Sequence, residues 1–376
     1  MNRESAIKIP LIARLCRRLK PPFHTIAGSN RTKRGVLSGL VVLLILVCTL
    51  SLCVGAVTIA PGQVIAIIGE MVGLELPFYF TSGQQAVLQS IRAPRVVLGV
   101  LVGSALAVSG AALQGLFRNP LADPALIGVS SGAALGAVTV IVLESSLLKG
   151  FSQWTGRYSL PIAAFAGGLI ATWLAYRFAS VKGRLEITSL LLAGIAINAL
   201  SGSMTGLMIY LADDQQLRTL IFWSMGSLGG ASWSGILTGA PFFLIPMVSI
   251  PFLSRALNAL LLGEAEAGHL GFAVDRIKTA VILLAALSVG AAVSAAGMIG
   301  FIGLVVPHLL RLGFGPDHRL LLPGSAVLGA ILLLVADLLA RKLLVPAEIP
   351  IGIITGMLGG PFFLWLLRRQ TIAGGW

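Results

Sequence analysis

The 376 residues are 56% hydrophobic and only 11% charged, with mean hydropathy +0.94; a soluble domain carries about 25% charged residues, so this chain is solvated mainly by lipid. Its net charge of +13 would suggest nucleic acid in a soluble protein, but nine of the 27 Lys and Arg lie before Val36, where they orient a membrane chain instead. Nucleic acid is therefore not expected as a partner. The three cysteines, Cys16, Cys48 and Cys53, form no CxxC and no metal-ligand spacing.

Residues 1–35 form a basic segment with Pro21 and Pro22, expected on the cytoplasmic side. The apolar run that follows is near spanning length behind a long basic region, which favours an uncleaved first helix over a signal peptide. Crossing a hydrocarbon core of roughly 30 Å takes about 20 residues. Runs of that kind predict ten helices, at 36–57, 92–115, 123–143, 159–178, 188–211, 233–253, 276–296, 300–314, 320–341 and 349–367. Residues 217–229 are too short to span and read as a re-entrant or surface helix. The fold expected is an all-α polytopic membrane protein, with residues 36–376 as the transmembrane domain and both termini on one side. Twenty basic residues fall on that side and seven on the other, which makes the side of the termini cytoplasmic.

Between the second and third predicted helices, residues 110–137 (GAALQGLFRNPLADPALIGVSSGAALGA) form a polar corner with glycine-rich arms. Pro120 and Pro124 stop the flanking helices, and Asn119 and Asp123 are placed to cap the freed backbone. SGAALGA at 131–137 is echoed by GSAVLGA at 324–330, which points to duplicated helix units.

The dipeptide Gly-Lys never occurs, so the phosphate-binding loop G-x-x-x-x-G-K-[ST] is absent and no catalytic residue is expected. His24, His269, His308 and His318 are scattered, without the spacing of a zinc site. Asp337 is the clearest carboxylate inside an apolar run, and Arg341, four residues on, is a natural intrahelical partner. The fifth predicted helix carries a polar and soft stripe, Asn198, Ser201, Ser203, Met204, Thr205 and Met208. Gly352, Gly356 and Gly360 in the tenth are spaced for close helix packing. Residues 255–276 are too polar to span, with leucines suited to short amphipathic helices separated at Gly263 and Gly268. Such helices either lie on lipid or dock a partner.

Residues 113–137, with FRNPLADP and GVSSGA, resemble the FecCD family, permease subunits of type II ABC importers for heme, ferric siderophores and vitamin B12. Further stretches agree in order: Arg92-Ala93-Pro94-Arg95, Phe222-Trp223-Ser224-Met225-Gly226, residues 263–271, GFIGLVVPHLLR at 300–311, Asp317-His318-Arg319, and 349–352. The resemblance spans roughly 58–369 and implies a vitamin B12 permease-like fold in a bacterial inner membrane. It also implies a homodimer, two separate ATPase subunits that hold ATP and Mg, and a periplasmic substrate-binding protein, with no cofactor on this chain. On the family pattern, Leu262, Gly263, Glu264, Glu266, His269, Leu270 and Gly271 form the ATPase-coupling region. Arg92 and Arg341 match arginines that hold acidic residues of the binding protein. A pathway lined by Asn198, Ser201, Met204 and Thr205 would end at a gate near Leu121, Glu186, Ile187 and Thr188. Here Glu186 and Ile187 depart from the small hydroxyl residues of the vitamin B12 permeases. Within the family, FWSMGSLGGASW at 222–233 and LLGEAEAGHLGF at 261–272 most resemble heme permeases, and an iron chelate such as heme is the expected cargo. The rival classes are an ion-coupled secondary transporter, which would need buried carboxylates beyond Asp337, and a membrane enzyme, which would need a clustered catalytic set.

Overall fold

A computed structural model describes residues 30–181, 184–344 and 347–372. Most of the basic segment, with Cys16 and His24, lies outside the described residues, as does Lys182. The first helix, α1 (Asn30–Cys53), begins six residues earlier than its apolar run, so Lys33 and Arg34 ride on its first turns. A short helix not anticipated from hydropathy, α2 (Pro61–Met71), starts on a proline, and the Gln63 side chain accepts from the Ala60 N–H. Thr81 and Gln84 form a reciprocal cap for α3 (Ser82–Val87). That helix runs through a π turn, Leu88–Arg92, into α4 (Ala93–Leu116).

The polar corner is built as its residues require. Asn119 Oδ1 accepts from Leu121 N–H at 2.9 Å, and Asp123 Oδ1 accepts from Ala125 N–H at 2.8 Å, capping a 3₁₀ turn, Pro124–Ile127. Gly128, at φ +84, then releases α5 (Val129–Leu143). The chain continues through α6 (Lys149–Thr155), α7 (Ser159–Ala179) and a minimal antiparallel hairpin, β1 (Ser180–Val181) with β2 (Arg184–Leu185). Then come α8 (Ile187–Leu211), the surface helix α9 (Asp214–Ser224) and α10 (Trp233–Phe252). Two short helices, α11 (Ser254–Leu260) and α12 (Glu264–His269), precede α13 (Val274–Ala296), α14 (Ile302–Phe314), α15 (His318–Lys342) and α16 (Ile351–Ile372).

Seven of these helices are long and apolar enough to cross a membrane, and three shorter apolar ones complete the ten expected positions. The 13 residues of α14 reach only about 20 Å, less than a hydrocarbon core, because residues 297–301 leading into it are not helical. At the centre stands α4, buried along almost all its length and wrapped by α10, α13, α14 and α15. Glycine makes that possible. A Cβ on Gly103 would stand 2.4 Å from Gly329 O of α15, and one on Gly329 would stand 2.3 Å from Gly103 O, so the two backbones touch. The pair Gly132 and Gly167 joins α5 to α7 in the same reciprocal way. The two echoed segments thus put a glycine, Gly136 or Gly329, at a close helix crossing.

Candidate functional site

At one end of the bundle an open cleft of about 820 Å³ gathers residues far apart in sequence. Glu186, Ile187 and Thr188 from the start of α8 face Glu264 and Ala265 of α12, with Arg118 from the corner and Lys278 from α13. The organising group is Lys278, whose side chain is only 4% exposed. Its ammonium donates to Leu185 O at 3.0 Å and to Glu264 Oε2, so it pins α12 and the hairpin to α13. Taking an ammonium out of water costs several kcal/mol, and only paired charge with full hydrogen bonding offsets it. Leu121 lies half-buried in the adjoining corner.

The segment on α11 and α12 has one face in and one face out. Leu257, Leu260 and Ala267 are buried, while Leu262, Glu266, His269, Leu270 and Gly271 are exposed. The breaks fall at Gly263, φ +132, and Gly271, φ +86; Gly268, expected as a break, stays helical because its backbone is not left-handed. Asn258 anchors the segment from behind. Its amide donates to Asp317 Oδ1 at 2.7 Å, and its Oδ1 accepts from the His318 N–H at 2.9 Å. Burial alone would raise the Asp317 carboxyl, but bonds from Lys33, the Arg319 N–H and Asn258 overcome it and hold the pKa at about 2. The sequence had shown no reason for Asp317-His318-Arg319 to sit beside 255–276; the shared Asn258 supplies it.

At the other end, Arg92 and Arg341 are turned inward. Arg92 is 4% exposed and donates to the carbonyls of Leu52, Cys53 and Val57, closing the end of α1. Arg341 donates to Ser51 Oγ at 2.8 Å and Val54 O at 3.2 Å. Asp337, fully buried, meets Arg341 Nε at 3.0 Å without hydrogen-bond alignment, while its Oδ1 accepts two bonds from Arg95, at 3.0 and 2.8 Å. Arg95 also makes a two-pronged pair with Glu348, at 3.0 and 2.8 Å. Arg95, not named as a site residue from sequence, is therefore the hub that joins α4, α15 and the approach to α16. The intrahelical Asp337/Arg341 pair is present as one edge of this network.

The polar stripe of α8 divides. Asn198 donates to Ala125 O at 3.1 Å and accepts from Ser131 Oγ at 2.5 Å, so it holds the corner. Ser201 is buried and Thr205 half-buried. Met204 faces out, together with Leu192, Ile195, Leu200 and Leu207. On α16 the glycine pattern divides as well: a Cβ on Gly352 would lie 2.4 Å from Met225 O, but Gly356 and Gly360 face open space.

Three distant stretches meet at that Met225 contact. Ser227 N–H donates to Ala296 O at 2.8 Å, Ile351 N–H to Gly226 O at 3.1 Å and Gly352 N–H to Met225 O at 2.9 Å. Gly226 and Gly297 take φ +71 and +70 there. Non-helical backbone inside an apolar bundle is tolerated only when such internal bonds satisfy it.

Comparison with known proteins agrees with this architecture. The FecCD transport family matches residues 43–369. The hemin transport system permease protein HmuU of Yersinia pestis is 52% identical over 281 residues, 75% of this chain and 83% of that protein. The cobalamin import system permease protein BtuC of Halobacterium salinarum is 43% identical over 297 residues, covering 79% and 77%. The vitamin B12 import system permease protein BtuC of Salmonella typhi is 41% identical over 343 residues, covering 91% and 97%. A solved structure described as an inward-facing conformation of a metal-chelate type ABC transporter is similar with a TM-score of 0.77 at 33% identity, covering 89% of this chain and 99% of that one.

Proposed function

Because the chain belongs to the FecCD transport family, as the membrane-spanning permease of an ABC importer whose ATPase is a separate subunit, we propose that its cargo is heme. The observation that carries this reading is the 52% identity with a hemin permease, against 43% and 41% with the two cobalamin permeases. An α8 whose outward face is apolar suits a flat, largely apolar chelate. A ferric siderophore or cobalamin is the alternative cargo within the family.

Two copies of the chain form the working unit, with the outward faces of α8 and α16 toward each other across the pathway. The open Gly356 and Gly360, beside exposed Met357 and Leu364, support this by leaving room for close approach. Each copy offers Leu262, Glu266, His269 and Leu270 to a groove on one ATPase subunit, on the cytoplasmic side where both termini lie. Glu264 of that segment shares its cleft with Glu186, Ile187 and Thr188, so displacement of α12 by the ATPase reaches the inner gate through the Lys278 anchor. The ATPase shifts the permease between states only by binding them with different affinity. At the periplasmic end a binding protein docks on the rim that Arg92 and Arg341 hold together, where Lys342 and Glu348 are exposed.

The deciding experiment is uptake into proteoliposomes containing this chain with candidate ATPase and binding-protein subunits. The expected result is ATP-dependent entry of heme in preference to cobalamin and a ferric siderophore, lost on substitution of Leu262 and Leu270 by Asp. Preference for either other chelate would overturn the cargo, and uptake that follows an imposed ion gradient without ATP would overturn the mechanism.

A further inference from the structure

Between α7 and α10, over α13, a wedge-shaped cavity of about 470 Å³ opens at the end of the bundle away from the cleft. Ile162 and Phe165 wall one side, Ile236 and Phe242 the other, and Ala291 and Ala295 form the floor. The Phe165 and Phe242 rings meet with centroids 4.8 Å apart. No residue of α8 or α16 lines the wedge, so it stands apart from the proposed pathway.

One charge lines it. Arg157, at the start of α7, is exposed, and its Nη2 donates to Ser234 Oγ at 2.8 Å and Tyr158 OH at 3.1 Å, with the guanidinium 5.0 Å from the Tyr158 ring centroid. Among the described residues no carboxylate lies within ion-pair distance of it, and its Nε and Nη1 have no protein acceptor. Ser232, which caps the 20-residue α10 through Gly235 N–H, lies on the same rim and brings that helix's positive end toward the mouth.

These features call for an occupant that is anionic at one end and a long hydrocarbon at the other. An apolar wedge offers water too few polar partners, and left empty its lining forfeits dispersion contacts. An unpaired guanidinium at the membrane boundary favours a phosphate through its planar fork. Both needs are met by a molecule that enters sideways from the bilayer. We propose that the wedge holds an acyl chain of one anionic phospholipid, in the leaflet away from the coupling segment, with Arg157 and the first turn of α10 receiving its phosphate. The proposal rests on the membrane reading and not on the cargo.

The test is native mass spectrometry of the full-length permease, delipidated in detergent and titrated with dioleoyl phosphatidylglycerol or dioleoyl phosphatidylcholine. One tightly held equivalent is expected, favouring phosphatidylglycerol at least fivefold. Arg157→Gln removes the preference while leaving the chain seated. Ala295→Phe, which fills an exposed part of the floor, removes the tight equivalent for both lipids at an unchanged melting temperature. A permease with no tight equivalent, or with one that neither variant alters, overturns the proposal. So does efficient disulfide cross-linking of Ala295→Cys between two copies, in a background lacking the three native cysteines, because a second subunit would then cover the wedge.

Discussion

Replacing Asp337 with Asn keeps the side chain's shape and removes the negative charge at the middle of a four-group network. What remains is two guanidiniums and Glu348. Arg95 keeps both of its bonds to Glu348, so the group left uncompensated is Arg341, whose remaining partners are Ser51 Oγ and Val54 O. Removing one member of a buried ion pair costs about 3–5 kcal/mol, and the surviving bonds place this case near 3 kcal/mol. At roughly 2 °C per kcal/mol for a chain of this size, the melting temperature falls by about 6 °C. Tryptophan fluorescence during heating in nanodiscs reads it. The sharper test is the double variant Arg341→Met with Asp337→Asn, which leaves Arg95 and Glu348 as a neutral pair. It melts above Asp337→Asn alone, and with the single variant Arg341→Met completing the cycle the interaction energy is about 1–3 kcal/mol. Additive losses, or an Asp337→Asn melting point within about 1 °C of the parent, would refute the idea that charge compensation holds α4, α15 and the start of α16 together.

Gly103→Leu drives a side chain into the backbone of Gly329 and is expected to stop accumulation of folded permease, whereas Gly39→Ala, with open space around it, melts at or slightly above the parent; expression with size-exclusion profiles compares the two. Lys278→Met leaves Leu185 O without its donor and frees Glu264 to water, so the chain still inserts but substrate-stimulated ATP hydrolysis by the assembled importer drops at least tenfold. The folded pKa of Asp317 is depressed from 3.8 to about 2, so its contribution is complete above pH 4 and is lost as pH falls from about 4 through about 2. Melting curves across that window should slope less steeply for Asp317→Asn than for the parent.

Seven of the apolar helices were legible because length and hydropathy alone define a crossing, three shorter ones by hydropathy, and the corner was legible because Asn119 and Asp123 have only local backbone to bond. The α2 helix is not legible from hydropathy, although Pro61 marks its first turn, since 11 residues cannot span. The hairpin's two-residue strands are too short to show any period. Arg95 and Arg92 stand three apart in one motif, and nothing local tells which of them reaches an aspartate 242 residues away. The role of Lys278 is not legible in the sequence, because burial of a cation shows only when its partner in another helix is placed. The phase of α8 was unreadable for a related reason: apolar residues surround it on every side, so sequence could not say that Asn198 turns to the corner and Met204 away.

The junction of residues 225–227, 296–297 and 351–352 has a bearing on how this molecule tolerates change. Its fastenings are main-chain bonds, which no side-chain replacement except proline deletes and which ionic strength and mild acid leave alone. What the junction does demand is an absence: any β-carbon at Gly297 would land 2.3 Å from Trp223 O. Exposed surfaces nearby are therefore free to diversify, while the joint from which α10, α13 and α16 depart keeps its geometry. A bundle assembled this way can change its exposed faces without losing its frame.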